Sequence, residues 1–100
     1  MQVTEVNITF IKPNDSLIGF ASVVLDDAIY LSSIGIHTRL DGGGYRLTFP
    51  SKKSGQQQFQ IFHPIRKDVG AAIERAIFDK LKDVMNHARY DRANPEPTAI

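Results

Sequence analysis

The apolar residues of this chain change their spacing once, near Lys67, and that change limits the folds open to it. Before it they recur with a period of two, the mark of strands with one inward face. After it they recur with a period near 3.6, the mark of a helix with one apolar stripe. Val69, Ile73, Ile77, Leu81, Val84 and Ala88 fall on one helical face, with Arg75, Asp79, Lys82, Asn86 and Arg89 opposite. Asp68 near the start suits the positive end of the helix dipole, and Arg89 near the end suits the negative one. The spacing predicts a helix from Lys67 to about Tyr90, roughly 24 residues or ~36 Å at 1.5 Å per residue. That exceeds the width of a sheet of short strands, so Phe78 and Met85, at the margin of the stripe, are expected to overhang it.

The strand region divides at its turn formers. Val6, Ile8 and Phe10 alternate with Asn7, Thr9 and Ile11, and Lys12-Pro13-Asn14-Asp15-Ser16 is expected to end that strand. Leu17 to Leu25 carries apolar residues on both faces, which predicts a central strand covered on each side. Asp26-Asp27 makes the next turn through side-chain bonds to nearby backbone N–H groups. In Ala28 to His37, Tyr30, Ile34 and Ile36 alternate against Leu31. Asp41-Gly42-Gly43-Gly44 supplies positions free to take positive φ, a hairpin signal. Tyr45, Leu47 and Phe49 then share one face, Arg46 and Thr48 the other, and Pro50 stops the strand. Ser51 to Gln57 reads as a polar loop and Gln58 to Phe62 as a short fifth strand whose apolar residues are Phe59, Ile61 and Phe62. The class is α+β: an antiparallel-rich sheet of about five strands followed by one long C-terminal helix.

A chain of 100 residues, 42% hydrophobic and 23% charged, supports one globular core. Residues 1–90 are expected to form that single domain, and residues 91–100, with Pro95 and Pro97, a flexible tail. The longest mainly apolar run without a charge, Ser16 to Leu25, is too short to span a bilayer. The start of the chain lacks the features of a secretory signal. With no cysteine present, disulfides and thiolate chemistry are excluded, and the cytoplasm is the expected compartment.

Little in the sequence asks for catalysis. His37, His63 and His87 come from a strand, a loop and a helix, without metal-ligand spacing, so no metal site is expected. Asp26 and Asp27, adjacent in a turn, suit local hydrogen bonding better than acid–base work. Ser51 lacks a G-x-S-x-G context. Gly42-Gly43-Gly44 precedes a strand, whereas a phosphate-cradling loop needs a following helix. The expectation is a non-enzyme with no cofactor and no small-molecule substrate.

Charge is more informative once divided along the chain. Residues 1–45 carry a net −3 and residues 68–100 a net −1, while residues 46–67 hold Arg46, Lys52, Lys53, Arg66 and Lys67 and no acid. Phosphate binding needs cations held close together, with hydroxyls or backbone N–H groups to position the backbone. Lys52 and Lys53, flanked by Ser51 and Ser54, supply that locally, and Arg46 projects away from Tyr45, Leu47 and Phe49. Gln56, Gln57 and Gln58 are suited to hydrogen-bond bases or sugars. The competing reading is that two lysines on a loop are simply solvated. Tyr45, Phe49, Phe59 and Phe62 have the chemistry of stacking platforms, although aromatics alternating in strands more often serve a core.

Phe49-Pro50-Ser51-Lys52-Lys53, followed by Phe62-His63-Pro64-Ile65 and a helix, resembles the SpoVG (stage V sporulation protein G) family. Ala21 to Asp26, the opening Val3-Thr4-Glu5-Val6, and Gly44 ahead of the fourth strand share the likeness, which runs from about residue 2 to residue 87. The resemblance implies a small sheet-plus-helix protein that dimerises and binds DNA or RNA in bacterial septation and gene regulation. Lys52 and Lys53 match the family's basic pair; Arg46, Ser51, Arg66 and Lys67 join them on charge and position. Two departures stand out. Family members often carry arginines in the first strand, where this chain has Val6-Asn7-Ile8-Thr9-Phe10, and their Gly-Leu-Phe-Val-Ala-Met reads Gly44-Tyr45-Arg46-Leu47-Thr48-Phe49 here. A role in sporulation depends on the host, not on the domain.

Two functions are thus expected to compete. One is a homodimeric nucleic-acid-binding regulator, with no membrane partner. The other is a protein-interaction module that uses the overhang at Phe78 and Met85 or a strand edge.

Overall fold

The alternating segments pair in the order in which they occur. β1 (Val3–Asn14), β2 (Leu17–Leu25), β3 (Ile29–Thr38) and β4 (Tyr45–Thr48) form one antiparallel sheet in the order β1-β2-β3-β4. A separate hairpin of β5 (Ser51–Ser54) and β6 (Gln57–Gln60) follows, and then the helix α1 (Lys67–Ala93). The α+β class is as expected, with six strands where the sequence showed about five. This computed structural model describes the backbone of residues 1–93 and the side chains of residues 1–87. The helix passes Tyr90, so the expected tail is helical at residues 91–93, and its remainder, 94–100, lies outside the described residues.

The turns follow from short polar residues. Ala28 N–H donates to the Leu25 carbonyl at 2.8 Å, and Asp26 and Asp27 take φ of 52° and 53°, the two left-handed positions of a type I′ turn. Asp26 Oδ1 accepts the Gln2 N–H at 2.8 Å, and Asp27 N–H donates to Thr4 Oγ1 at 3.0 Å. The bonding differs from the local kind expected: the Asp26 carboxylate reaches the start of the chain 24 residues away, and Asp27 takes part through its backbone N–H. Between β3 and β4, Gly43 N–H donates to Asp41 Oδ1 at 2.8 Å, with Gly42 at φ 75° and Gly44 at φ 107°. β1 runs further than expected, to Asn14. An irregularity between Phe10 and Asn14 takes in Pro13, tolerable because β1 is a sheet edge.

The core lies between one face of the sheet and the helix. Ala21, Val23, Leu25, Ile34, Ile36, Ile73, Ile77 and Leu81 are each no more than 5% exposed, and all come from β2, β3 and α1. Val6 and Ile8 of β1 and Tyr45 and Leu47 of β4 pack around its margins. β2 is central in the sheet but is covered on one face only. On its other face Phe20 is 39% exposed, because the chain has a single helix to lay against the sheet.

The structure keeps Ile34 and Ile36 inward, as expected, but exchanges the facing of Tyr30 and Leu31 at the start of β3. Val23 pairs with Leu31 while Ala21 pairs with Ile34, so β3 carries one extra residue there, with Ser33 at φ 66°. This bulge brings Leu31 to the same face as Ile34 and Ile36 and leaves Tyr30, opposite Val24, on the open face at 66% exposure.

The expected overhang at Phe78 and Met85 is replaced by packing on β4. The Tyr45 and Phe78 rings lie 6.4 Å apart, and the Tyr45 hydroxyl donates to Met85 Sδ at 3.4 Å. A groove of about 530 Å³ remains beside them, bordered by Arg39 and Lys82. No helix among the described residues is long and apolar enough to cross a membrane.

Ile77 is fully buried in this core, so Ile77→Ala is expected to cost about 2–5 kcal/mol in urea unfolding. Ile65→Ala, at a site 88% exposed, is expected to leave the midpoint nearly unchanged.

Candidate nucleic-acid interface

Pro50 ends β4, and the chain then leaves the sheet. Ser51 pairs with Gln60, Lys52 with Phe59, Lys53 with Gln58 and Ser54 with Gln57. Gly55, at φ 65°, and Gln56 make the two-residue turn. Ile61 N–H donates to the Pro50 carbonyl at 2.8 Å and extends the ladder to its root. There the half-buried Phe49 and Phe62 meet edge to face, with centroids 6.1 Å apart and planes at 72°, and both pack against the core. Every residue from 51 to 60 is exposed. The hairpin is a blade standing off the domain on an aromatic root.

This corrects the reading of Ser51 to Gln57 as a polar loop and of Gln58 to Phe62 as a fifth strand of the sheet. Phe59 and Ile61 are 51% and 62% exposed, and only Phe62 reaches the core. The ladder holds residues of weak strand preference because the turn at Gly55 brings them into register.

The basic residues are distributed around this blade. Neighbours along a strand point to opposite faces, so Lys52 and Lys53 project to opposite sides. Ser51 lies on the Lys53 side, where its Oγ accepts a hydrogen bond from Gln58 Nε2 at 2.7 Å. Arg46 stands apart, on the face of β4 away from the helix and directly across from His37. It borders an open cleft of about 640 Å³ with Arg39, Asp15 and Asp41, where the acids offset its charge. Arg66 makes a two-pronged bond to Asp68, at 3.0 and 2.6 Å, with both side chains exposed. Lys52, Lys53 and Lys67 have no ion-pair partner among the described residues. Of the six residues expected to act together, the fold thus joins Ser51 and Lys53 on one face, sets Lys52 behind them, and ties Arg66 to a carboxylate. Sequence reasoning missed Gln60, on the face of Ser51 and Lys53, and Arg39, which lay in an acidic stretch. Counting a period of two outward from Gly55 would have found the glutamine.

The histidines are separately engaged. His37 Nδ1 lies 3.0 Å from Ser16 Oγ and Nε2 3.0 Å from Thr48 Oγ1, while His63 bonds the Pro64 carbonyl and His87 lies beside Asp83. No three His, Asp or Glu side chains converge to hold a metal among the described residues. Burial, and then the positive charge of Arg46, hold His37 below its ordinary 6.5. The unfolded chain therefore takes up the proton first as the pH falls. Stability is fully present above 6.5 and is lost as the pH drops through the folded value. His37→Gln is expected to flatten that dependence in urea midpoints measured on either side of pH 6.5.

A small one-helix α+β domain with an exposed basic hairpin is the class that fold and site define. The family model described as SpoVG matches residues 1–83, and the chain belongs to the SpoVG family. It is 33% identical over 85 residues to the protein named "Putative septation protein SpoVG" of Finegoldia magna, covering 83% of this chain and 76% of that one. Proteins of the same name from Treponema denticola and Clostridium novyi are each 28% identical, covering 79% and 99% of this chain and 84% and 98% of their own.

Proposed function

We propose that the chain is a non-catalytic, dimeric nucleic-acid-binding regulator that engages phosphates through the β5–β6 hairpin. The observation that carries this reading is the blade itself: residues 51–60 are all exposed, hold Lys52 and Lys53, and contain no acid. Septation is the process named for the relatives, and its control is the role proposed here. A β-hairpin offers two lysines at little cost because neither is desolvated against its own chain. Lys67 adds to the positive field, while Arg46 contributes less because Asp15 and Asp41 share its cleft, and Arg66 less because Asp68 accompanies it. Binding of this kind releases counterions, so affinity falls steeply with salt.

The test is fluorescence anisotropy on DNA and RNA, single-stranded and duplex, across a salt series. Lys52→Ala/Lys53→Ala is expected to reduce the slope of log affinity against log salt by about one per lysine removed, with circular dichroism unchanged. An unaltered slope would remove the hairpin from the interface.

The proposed dimer is supported by apolar surface on the same blade. Phe59 and Ile61 are 51% and 62% exposed beside the free edge of a two-stranded ladder, which is marginal in water without cover. A second chain supplies that cover. The rival reading, a protein-interaction module, draws on the same two side chains and fills the place with a different partner. Light scattering after size exclusion decides between them: the wild type is expected at twice the chain mass and Phe59→Ser/Ile61→Ser at the chain mass. A monomeric wild type at micromolar concentration would overturn the dimer.

A further inference from the structure

The ladder register divides the hairpin into two chemically different faces, because cross-strand partners project to the same side. Lys52, Ser54, Gln57 and Phe59 form one face; Ser51, Lys53, Gln58 and Gln60 form the other. The second face is wholly polar. On it the Gln58 carboxamide is held across the strands by its 2.7 Å bond to Ser51 Oγ. That bond uses one amide hydrogen and leaves the other, together with Oε1, directed to solvent.

A carboxamide with one donor and one acceptor matches N7 and N6 of adenine along the major-groove edge. The major groove of B-form DNA, about 12 Å wide, admits a two-stranded ribbon as readily as a helix. Spacing agrees as well. Gln58 and Gln60 are two residues apart, about 6.6–6.8 Å at the strand rise, and two base steps at about 3.4 Å each cover the same distance.

Resting on the nucleic-acid reading above, we propose that Ser51, Lys53, Gln58 and Gln60 are a base-reading face. The hairpin enters the major groove of B-form DNA with this face toward the base edges. Gln58, positioned by Ser51, reads an adenine, and Gln60 reads a second base two steps away. Lys53 reaches a phosphate of the adjoining strand, and Lys52, on the back, is left to the phosphates that flank the groove. The deep, narrow major groove of A-form RNA does not admit this blade.

The test is enrichment from a randomised DNA duplex pool by the wild type, Gln58→Ala, Gln60→Ala and Lys53→Ala. The wild type is expected to enrich adenine at a fixed position. Gln58→Ala is expected to lose about tenfold of that preference while keeping its low-salt affinity for random duplex. Lys53→Ala is expected to weaken all sequences alike. Replacing the selected adenine by 7-deazaadenine removes the N7 acceptor; it should weaken the wild type and leave Gln58→Ala unaffected. Salt-dependent binding without enrichment, or the same motif enriched by Gln58→Ala, overturns base reading and leaves the nucleic-acid function standing. Binding confined to single strands or RNA does the same. No binding to any nucleic acid at low salt overturns both.

Discussion

The fold depends on one contact, the apolar stripe of the helix laid against one face of the sheet, with its axis nearest β1 and its side chains reaching β2 and β3. Ile73, Ile77 and Leu81 recur every four residues and meet Ala21, Val23, Ile34 and Ile36. Burying such side chains stabilises by about 1.5–3 kcal/mol each, and no comparable cluster exists elsewhere among the described residues. β1 and β4 flank this centre and are held largely by their ladders to β2 and β3. The long β1 edge is tied down further where Gln2 and Thr4 bond to the Asp26-Asp27 turn.

With the helix committed to the sheet, the hairpin receives no cover from the rest of its own chain. Its stability is local: the turn at Gly55, four ladder pairs, and the Phe49–Phe62 contact at its root. The absence of cover also frees its composition. A strand that buries neither face can carry Ser, Lys and Gln at every position without desolvation cost. The part of the chain with the least packing is therefore the part able to present polar groups in a fixed array, and the aromatic root anchors that array to the core.

The elements legible in the sequence are those whose side chains are selected by burial on one face. β1, β4 and α1 announce themselves by period, β2 by its apolar run, and the Asp41 to Gly44 turn by its glycines. β5 is silent because Ser-Lys-Lys-Ser has no alternation and little strand preference; only its register with β6 makes it a strand. The bulge at Ser32-Ser33 is silent for another reason. An inserted residue changes the facing of Leu31 and Tyr30 without changing composition. Lys52 and Lys53 were visible as charges, but in a loop two adjacent lysines have no defined faces, so their opposition emerges only with the ladder.

That opposition has a consequence for how a polyanion, on the reading proposed above, would meet the protein. The net charge of residues 46–67 is not one patch, since Arg46 shares a cleft with Asp15 and Asp41 and Arg66 is bonded to Asp68. The unpaired cations of the blade lie on its two sides, and at physiological salt an exposed charge acts over about 8 Å. A flat surface or a single strand laid along one side engages one lysine well and the other poorly. A groove with a phosphate backbone on each wall engages both at once while its floor faces the ribbon. The charge geometry therefore favours insertion between two backbones over docking on one, and it does so independently of the glutamines.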